Sequence, residues 1–212
     1  MVLHITRLSI LHMRKRVQDL LKYGAAAPGL LDVVWLDPRR VKGHCRLRSE
    51  PGLKRELSSE CGVPEAVVVS DAYASRAFEF VDTSRHIVFV SCRLRWIDGL
   101  PWEKTPVYQN YKRKIVDGKP SADARTLEHL AARYEKLDRI FETVQRDGFS
   151  SRRWNVVRAS WDPSGVVFWG PNGRHRLAMG LVAGVEKMPF GVKIVCESGL
   201  SQFVKDRDGP AL

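Results

Sequence analysis

The sequence predicts a mixed α+β domain, and three stretches carry that prediction. Leu127, Leu130, Tyr134, Leu137, Phe141 and Val144 recur at spacings of 3, 4, 3, 4 and 3, which puts a single apolar seam on one helix that stops at Gly148. Asn155 to Ser160 and Val166 to Trp169 read as strands joined through Trp161-Asp162-Pro163-Ser164-Gly165, where Asp, Pro and Gly suit a type I turn with a left-handed exit and so a β-hairpin. After Gly173, Leu177, Leu181 and Val182 mark a second helix that ends at Gly184, and Gly191 to Val195 reads as a closing strand. With 212 residues, 44% of them hydrophobic and 28% charged, the chain can bury a real core, and neither a disordered nor a fibrous reading fits.

The elements before this half follow in order. Leu8, Leu11, Val17, Leu20 and Leu21 lie at near-helical spacing, predicting an amphipathic helix that stops at Gly24 and passes into a linker, so that 1–29 form one segment. Arg14, Lys15 and Arg16 within it either touch nucleic acid or another acidic surface, or form a solvated face. Leu31 to Leu36 reads as a short strand ended by Asp37-Pro38. Arg39 to Pro64 is polar, basic and punctuated by Gly and Pro, which predicts an irregular or peripheral stretch, and Val67-Val68-Val69 favours a strand by its β-branching. From Ile87 to Trp96, Val88, Val90, Cys92, Leu94 and Trp96 alternate with Phe89, Ser91, Arg93 and Arg95. That period predicts a half-buried strand with Arg93 and Arg95 on its exposed face. Thr105 is a capping hydroxyl before Pro106, opening a helix with Tyr108, Tyr111 and Ile115 on its apolar side and Lys112, Arg113 and Lys114 on its basic flank. The predicted divisions are therefore 1–29, 30–120, 121–200 and a tail over 201–212. Glu128, Glu135 and Glu142 lie seven apart on the long helix, and solvated charge is their simplest role.

Composition bounds the function. Thirty-five Lys and Arg against 24 Asp and Glu give a net charge of +11, which attracts polyanions such as nucleic acid, nucleotides or anionic lipid, or simply makes a basic surface. Ala25 to Leu36 is the longest mostly apolar stretch and contains Pro28, Gly29 and Asp32, well short of the ~20 residues of a membrane span. Cys45, Cys61, Cys92 and Cys196 form no CxxC pair, so no zinc or other metal site is expected and free buried thiols are the default. Met1 to Gly24 carries Arg7, Arg14, Lys15 and Arg16 in place of an uninterrupted signal-peptide core. The expected compartment is the cytoplasm, with no membrane partner.

The stretch with chemistry is Trp169-Gly170-Pro171-Asn172-Gly173-Arg174-His175-Arg176, a strand-to-helix turn with three potential cations at the helix start. The helix dipole and its unpaired N–H groups repel cations there. Either an anion completes the site, or Arg174 and Arg176 point to solvent or pair with carboxylates. In the first case Asn172, Gly173, Arg174, His175 and Arg176 form a phosphate-binding turn, Gly173 allowing close approach, the arginines forking onto oxygens and His175 donating a hydrogen bond or moving a proton.

This turn, with Leu137 to Gly148, Asn155-Val156-Val157, the hairpin, Gly184 and Pro189-Phe190-Gly191-Val192, resembles the ParB/sulfiredoxin superfamily over roughly Leu127 to Val195. The resemblance implies a compact ParB/sulfiredoxin-like α+β domain, carrying an N-terminal helical and strand extension, whose G-x-x-R turn binds nucleotide phosphates; Gly173 and Arg176 are the matched positions. Sulfiredoxins carry Cys directly after the motif glycine, where this chain has Arg174, so sulfinic-acid repair is not expected. Only Cys196 to Leu212 follow the domain, too little for the further box and helix-turn-helix of a partition protein. The Asp-Gly-His-His-Arg form of the free-serine kinases aligns with Asn172 to Arg176. Asn172 replaces its leading acid, and Glu103 and Glu128 fit its catalytic glutamate only loosely, so no catalytic residue is assigned.

Two functions follow as expectations. One is a nucleotide-dependent small-molecule phosphotransferase, using a nucleotide triphosphate or diphosphate with Mg²⁺. The other is a nucleotide-gated DNA- or RNA-binding module that uses Arg14, Lys15, Arg16, Lys112, Arg113, Lys114 and Arg152-Arg153 on a phosphate backbone. Nuclease activity comes last, since no set of acidic metal ligands clusters near the turn. Trp154, Trp161 and Trp169 either stack a base or pack within the hairpin.

Overall fold

The computed structural model describes residues 2–47, 50–121, 124–150, 156–170 and 172–209, with 2–8 and 51 described by their backbone alone. Among them are eight α-helices and seven strands of one mixed sheet, so the domain is α+β. The chain forms two units, Met1–Val81 with Ser151–Gly173 and Lys187–Leu212, and Asp82–Ser150 with Arg174–Glu186.

The first unit holds the sheet. Its strands are β1 (Val33–Leu36), β2 (Val41–Cys45), β3 (Val67–Val69), β4 (Phe78–Phe80), β5 (Val157–Trp161), β6 (Val167–Trp169) and β7 (Met188–Cys196), ordered β1-β7-β5-β6-β2-β4. β7 is almost wholly buried because strands flank it on both edges. Its first half pairs antiparallel with β1, Val33 opposite Gly191, and its second half pairs parallel with β3, Val67 opposite Ile194, while β5 runs parallel along the other edge. The predicted hairpin forms: β5 and β6 pair antiparallel, and the Asp162 carboxylate accepts N–H bonds from Ser164 and Val166, both at about 2.9 Å, closing the turn. Trp161 and Trp169 are buried, with the Trp161 indole donating to Asp206 at 2.9 Å, which is the packing role; Trp154 lies outside the described residues.

The stretch from Arg39 to Pro64 is not irregular. It contains β2, which pairs parallel with β6, and α2 (Pro51–Cys61), whose Leu53, Leu57 and Cys61 bury a stripe against Cys45, Val67, Phe168 and Ile194. The prolines and glycines there act as punctuation: a proline opens α2 and Gly62 ends it. Gly43 is required on β2 because a Cβ there would lie 2.0 Å from the Glu79 carbonyl oxygen on β4. Helix α1 (Val2–Tyr23) and a short α3 (Ala74–Ala77) complete the first half. The predicted tail instead carries α8 (Leu200–Asp208), which buries Leu200 and Phe203, the latter edge-on to Trp161 at 5.1 Å.

The second unit is helical: α4 (Ile87–Trp96), α5 (Pro106–Val116), α6 (Leu127–Asp147) and α7 (Arg174–Ala183). Ile87 to Trp96 is thus a helix, contrary to the strand its alternation predicts. The same letters also satisfy a helical face, burying Val88, Phe89, Ser91 and Cys92, and His86 caps it by accepting the Val88 N–H at Nδ1. Arg95 does not share an exposed face with Arg93; it forks onto Asp138 of α6 at 2.7 and 3.1 Å. Asp138 also accepts the indole N–H of Trp96 at 2.8 Å and of Trp102 at 2.9 Å. Thr105 precedes Pro106 as predicted, but its hydroxyl donates to the Trp102 carbonyl, and the orphan N–H of Val107 is met instead by Ser91 of α4 at 2.9 Å. The α6 seam buries Leu130, Tyr134, Phe141 and Val144, and Glu128, Glu135 and Glu142 are exposed.

Candidate functional site

The turn after β6 brings the chain from Gly170 to the first residue of α7, Arg174. Gly173 has φ +99°, and a Cβ there would press at 3.2 Å on Val157 of β5, so the position needs glycine for conformation and for packing alike. Asn172 and Arg174 are exposed, His175 and Arg176 half-buried. Asn172 and Arg176 both already interact within the protein, and burial lowers the pKa of the Arg176 guanidinium.

His175 is the unusual group. Its Nε2 is shut off from solvent with no hydrogen-bond partner, and its ring stands edge-on to Tyr134 with centroids 6.1 Å apart. Burial pushes its pKa from 6.5 down to about 3, and the charges acting on it, Arg133, Arg174 and His86, push the same way. His86 is lowered too, by burial and then by Arg174. The Tyr134 hydroxyl is likewise buried without a partner, and burial raises its pKa. Its ring closes an aromatic wall with Trp102 at 4.5 Å and Tyr108 at 5.3 Å, while the Arg133 guanidinium lies over the Tyr111 ring at 5.2 Å.

The start of α7 is therefore a cationic, neutral-imidazole and aromatic environment. Sequence reasoning found Arg174, His175 and Arg176 but missed His86, Arg133 and Tyr134; these sit on α4 and α6, and nothing local to their letters marks them as neighbours of α7. Among the described residues no group of three or more His, Cys, Asp or Glu could hold a metal. A magnesium ion needs hard oxygen ligands, and the side chains of Arg174, His175 and Arg176 supply none.

No protein-family model, curated protein or solved structure matches the chain.

The remaining predicted contacts divide by environment. Arg14 is exposed, but Lys15 pairs with Asp19, and Arg16 donates to the carbonyls of Pro28 at 3.1 Å and Ala66 at 2.8 Å. Lys112, Arg113 and Lys114 are all exposed on α5. Arg152-Arg153 lies outside the described residues. A separate open groove of about 610 Å³ runs between α4 and α7, lined by Phe89, Leu94, Ile97 and Leu181 with Arg93 and Asp98 among its polar groups; residues 172–176 do not line it. All four cysteines are free and buried. No helix among the described residues is long and apolar enough to cross a membrane.

Proposed function

We propose that the N-terminal turn of α7 binds the phosphates of a nucleotide. The observation that carries this reading is a guanidinium at the first residue of α7: Arg174 is exposed there, at a helix end whose dipole and unpaired N–H groups repel cations. An anion relieves that repulsion. The exposed Arg174 supplies the guanidinium fork, and the first-turn N–H groups supply uncharged donors. His175 stays neutral and sealed, so it shapes the turn and leaves phosphate contact to Arg174. The resemblance of Leu127 to Val195 to the ParB/sulfiredoxin superfamily supports a phosphate-binding turn here, with Gly173 and Arg176 as its matched positions.

Phosphotransfer to a small-molecule hydroxyl is the enzymatic form of this proposal. It requires a carboxylate base, and Glu103 and Glu128, both exposed acids of the helical unit, are the two to substitute. The exposed run Lys112 to Lys114 favours a second reading, a nucleotide-gated module on a nucleic-acid backbone.

Calorimetric titration with ATP, ADP, CTP and GTP tests the proposal. Saturable binding of at least one is expected, and Arg174→Ala should weaken it by roughly 10-fold or more, the scale of a lost charge-assisted bond. Binding of none overturns the phosphate site. Consumption of the bound nucleotide when metabolite pools are added supports the enzyme; binding without turnover, together with retention of DNA or RNA, supports the module.

A further inference from the structure

Helix α1 is amphipathic in the inverse sense. The face it turns to the sheet unit is polar and hydrogen-bonded. Asp19 is 3% exposed, pairs with Lys15 and accepts the Val68 N–H at 2.9 Å. Arg16 donates to two carbonyls, His12 Nε2 meets the Glu65 carbonyl at 2.9 Å, and Tyr23 donates to Glu197 at 2.7 Å. The face it leaves to solvent is apolar: Ile10, Met13, Val17, Leu20 and Leu21 are 63, 70, 51, 51 and 83% exposed. The polar anchors fix the helix, so it cannot roll to bury this stripe.

Ile10, Met13, Val17 and Leu20 are spaced 3, 4 and 3, the a and d positions of a coiled-coil seam. A hollow of about 490 Å³ on this face is lined by Ser9, Ile10, Met13, Arg14, Val17 and Gln18. Ile10, Met13, Arg14 and Val17 among them stand at i, i+3, i+4 and i+7, the four-residue hole that receives one knob from a facing helix. The a positions are β-branched (Ile10, Val17) and the d positions are not (Met13, Leu20), the choice that favours two parallel strands. In that register Arg14 at e faces Ser9 at g of the other helix, and Arg16 at g is turned away to its carbonyls, so no like charges meet. An antiparallel pairing would bring the two Arg14 flanks together.

The stripe presents on the order of 500 Å² of apolar surface, the size of the largest patch a monomer carries and one that is often functional, and two copies together would bury on the order of 1,000 Å², the lower bound for a specific interface. We propose that two copies of this chain pair in parallel through the α1 stripe. The occupant is a second copy because the seam is self-complementary under a two-fold axis along the helices.

Sedimentation equilibrium of the full chain from low micromolar to hundreds of micromolar tests this. A concentration-dependent doubling of mass is expected, and Met13→Glu with Val17→Glu should return the monomer mass while melting like the parent at low micromolar concentration, where both are monomers, since both side chains are largely exposed in the single chain. Met13→Cys adds an exposed thiol to a protein whose own cysteines are all buried. Mild copper-phenanthroline oxidation should link it as a dimer, because d meets d′ only in the parallel pairing. A chain that stays monomeric throughout overturns the proposal, whether or not it floats with phosphatidylserine vesicles. So does a dimer that survives the double substitution, or one in which Met13→Cys fails to cross-link.

Discussion

A histidine kept neutral by burial and by neighbouring cations makes stability depend on acid in one direction. Unfolded, His175 takes up a proton near pH 6.5; folded, it resists until about pH 3. Between those values the unfolded chain binds more protons, so this contribution is complete above about 6.5 and is lost as the pH falls toward 3. His86, lowered by burial and Arg174, adds in the same direction. The melting temperature should therefore fall from pH 6.5 to about 5, a window in which ordinary carboxylates remain charged. His175→Gln should flatten that fall, and an unchanged slope in the variant would contradict the assignment. Asp138 has a different role. It satisfies two indole N–H groups and a guanidinium at once, so Asp138→Ala orphans all three and should cost about 2–4 kcal/mol in urea unfolding. At this scale the sequence reveals the turn letters Asn172 to Arg176 plainly. It hides His86, Arg133 and Asp138, whose roles exist only once α4, α6 and α7 stand side by side.

The elements that were legible carry their own stops. Helix α6 has Thr126 accepting the His129 N–H at its start and Gly148 at its end, and the hairpin has Asp162 to close it. The misread elements lack a local arbiter. Ten apolar-rich residues from Ile87 satisfy a period of two and a period near 3.6 equally, and His86 as a cap tips the balance only after folding. Strand β2, Val41–Cys45, is short and interrupted by Lys42 and Gly43, and it is a strand because β6 and β4 pair with it on either side. That dependence is testable at Gly43. Gly43→Ala forces a Cβ to within 2.0 Å of the Glu79 carbonyl oxygen, a backbone atom that moves only if β4 does. The expected loss is about 2 kcal/mol or more, with a native fold at 25 °C only if the margin allows it. A variant as stable as the parent would mean that β2 and β4 do not pair this closely.

On the scale of the whole chain, the two units are interleaved in sequence. The sheet unit draws on three separate segments, and the third and second of these, Lys187–Leu212 and Ser151–Gly173, supply its innermost strands β7, β5 and β6. Residues 1–150 alone keep β1, β2, β3 and β4 but lose every strand that β1 and β3 pair with. That fragment should show no cooperative melt and bind a hydrophobic dye, whereas a folded fragment would contradict the sheet order. The fold class was readable because each half of the chain shows both periods. The sheet order was not, because pairings such as Val41 with Val167 and Val67 with Ile194 join letters too far apart for any local pattern to link.

The same sheet order has a consequence on the ribosome. β1 and β3 emerge early, yet β7, the strand both of them pair with, follows far later in the chain. Their unpaired edges and the Leu53, Leu57 and Cys61 stripe of α2 wait exposed until β7 emerges. Folding of the sheet therefore waits for β7 and is rich in distant contacts, hence slow, and the nascent chain should be a client of holding chaperones until Cys196 clears the exit tunnel.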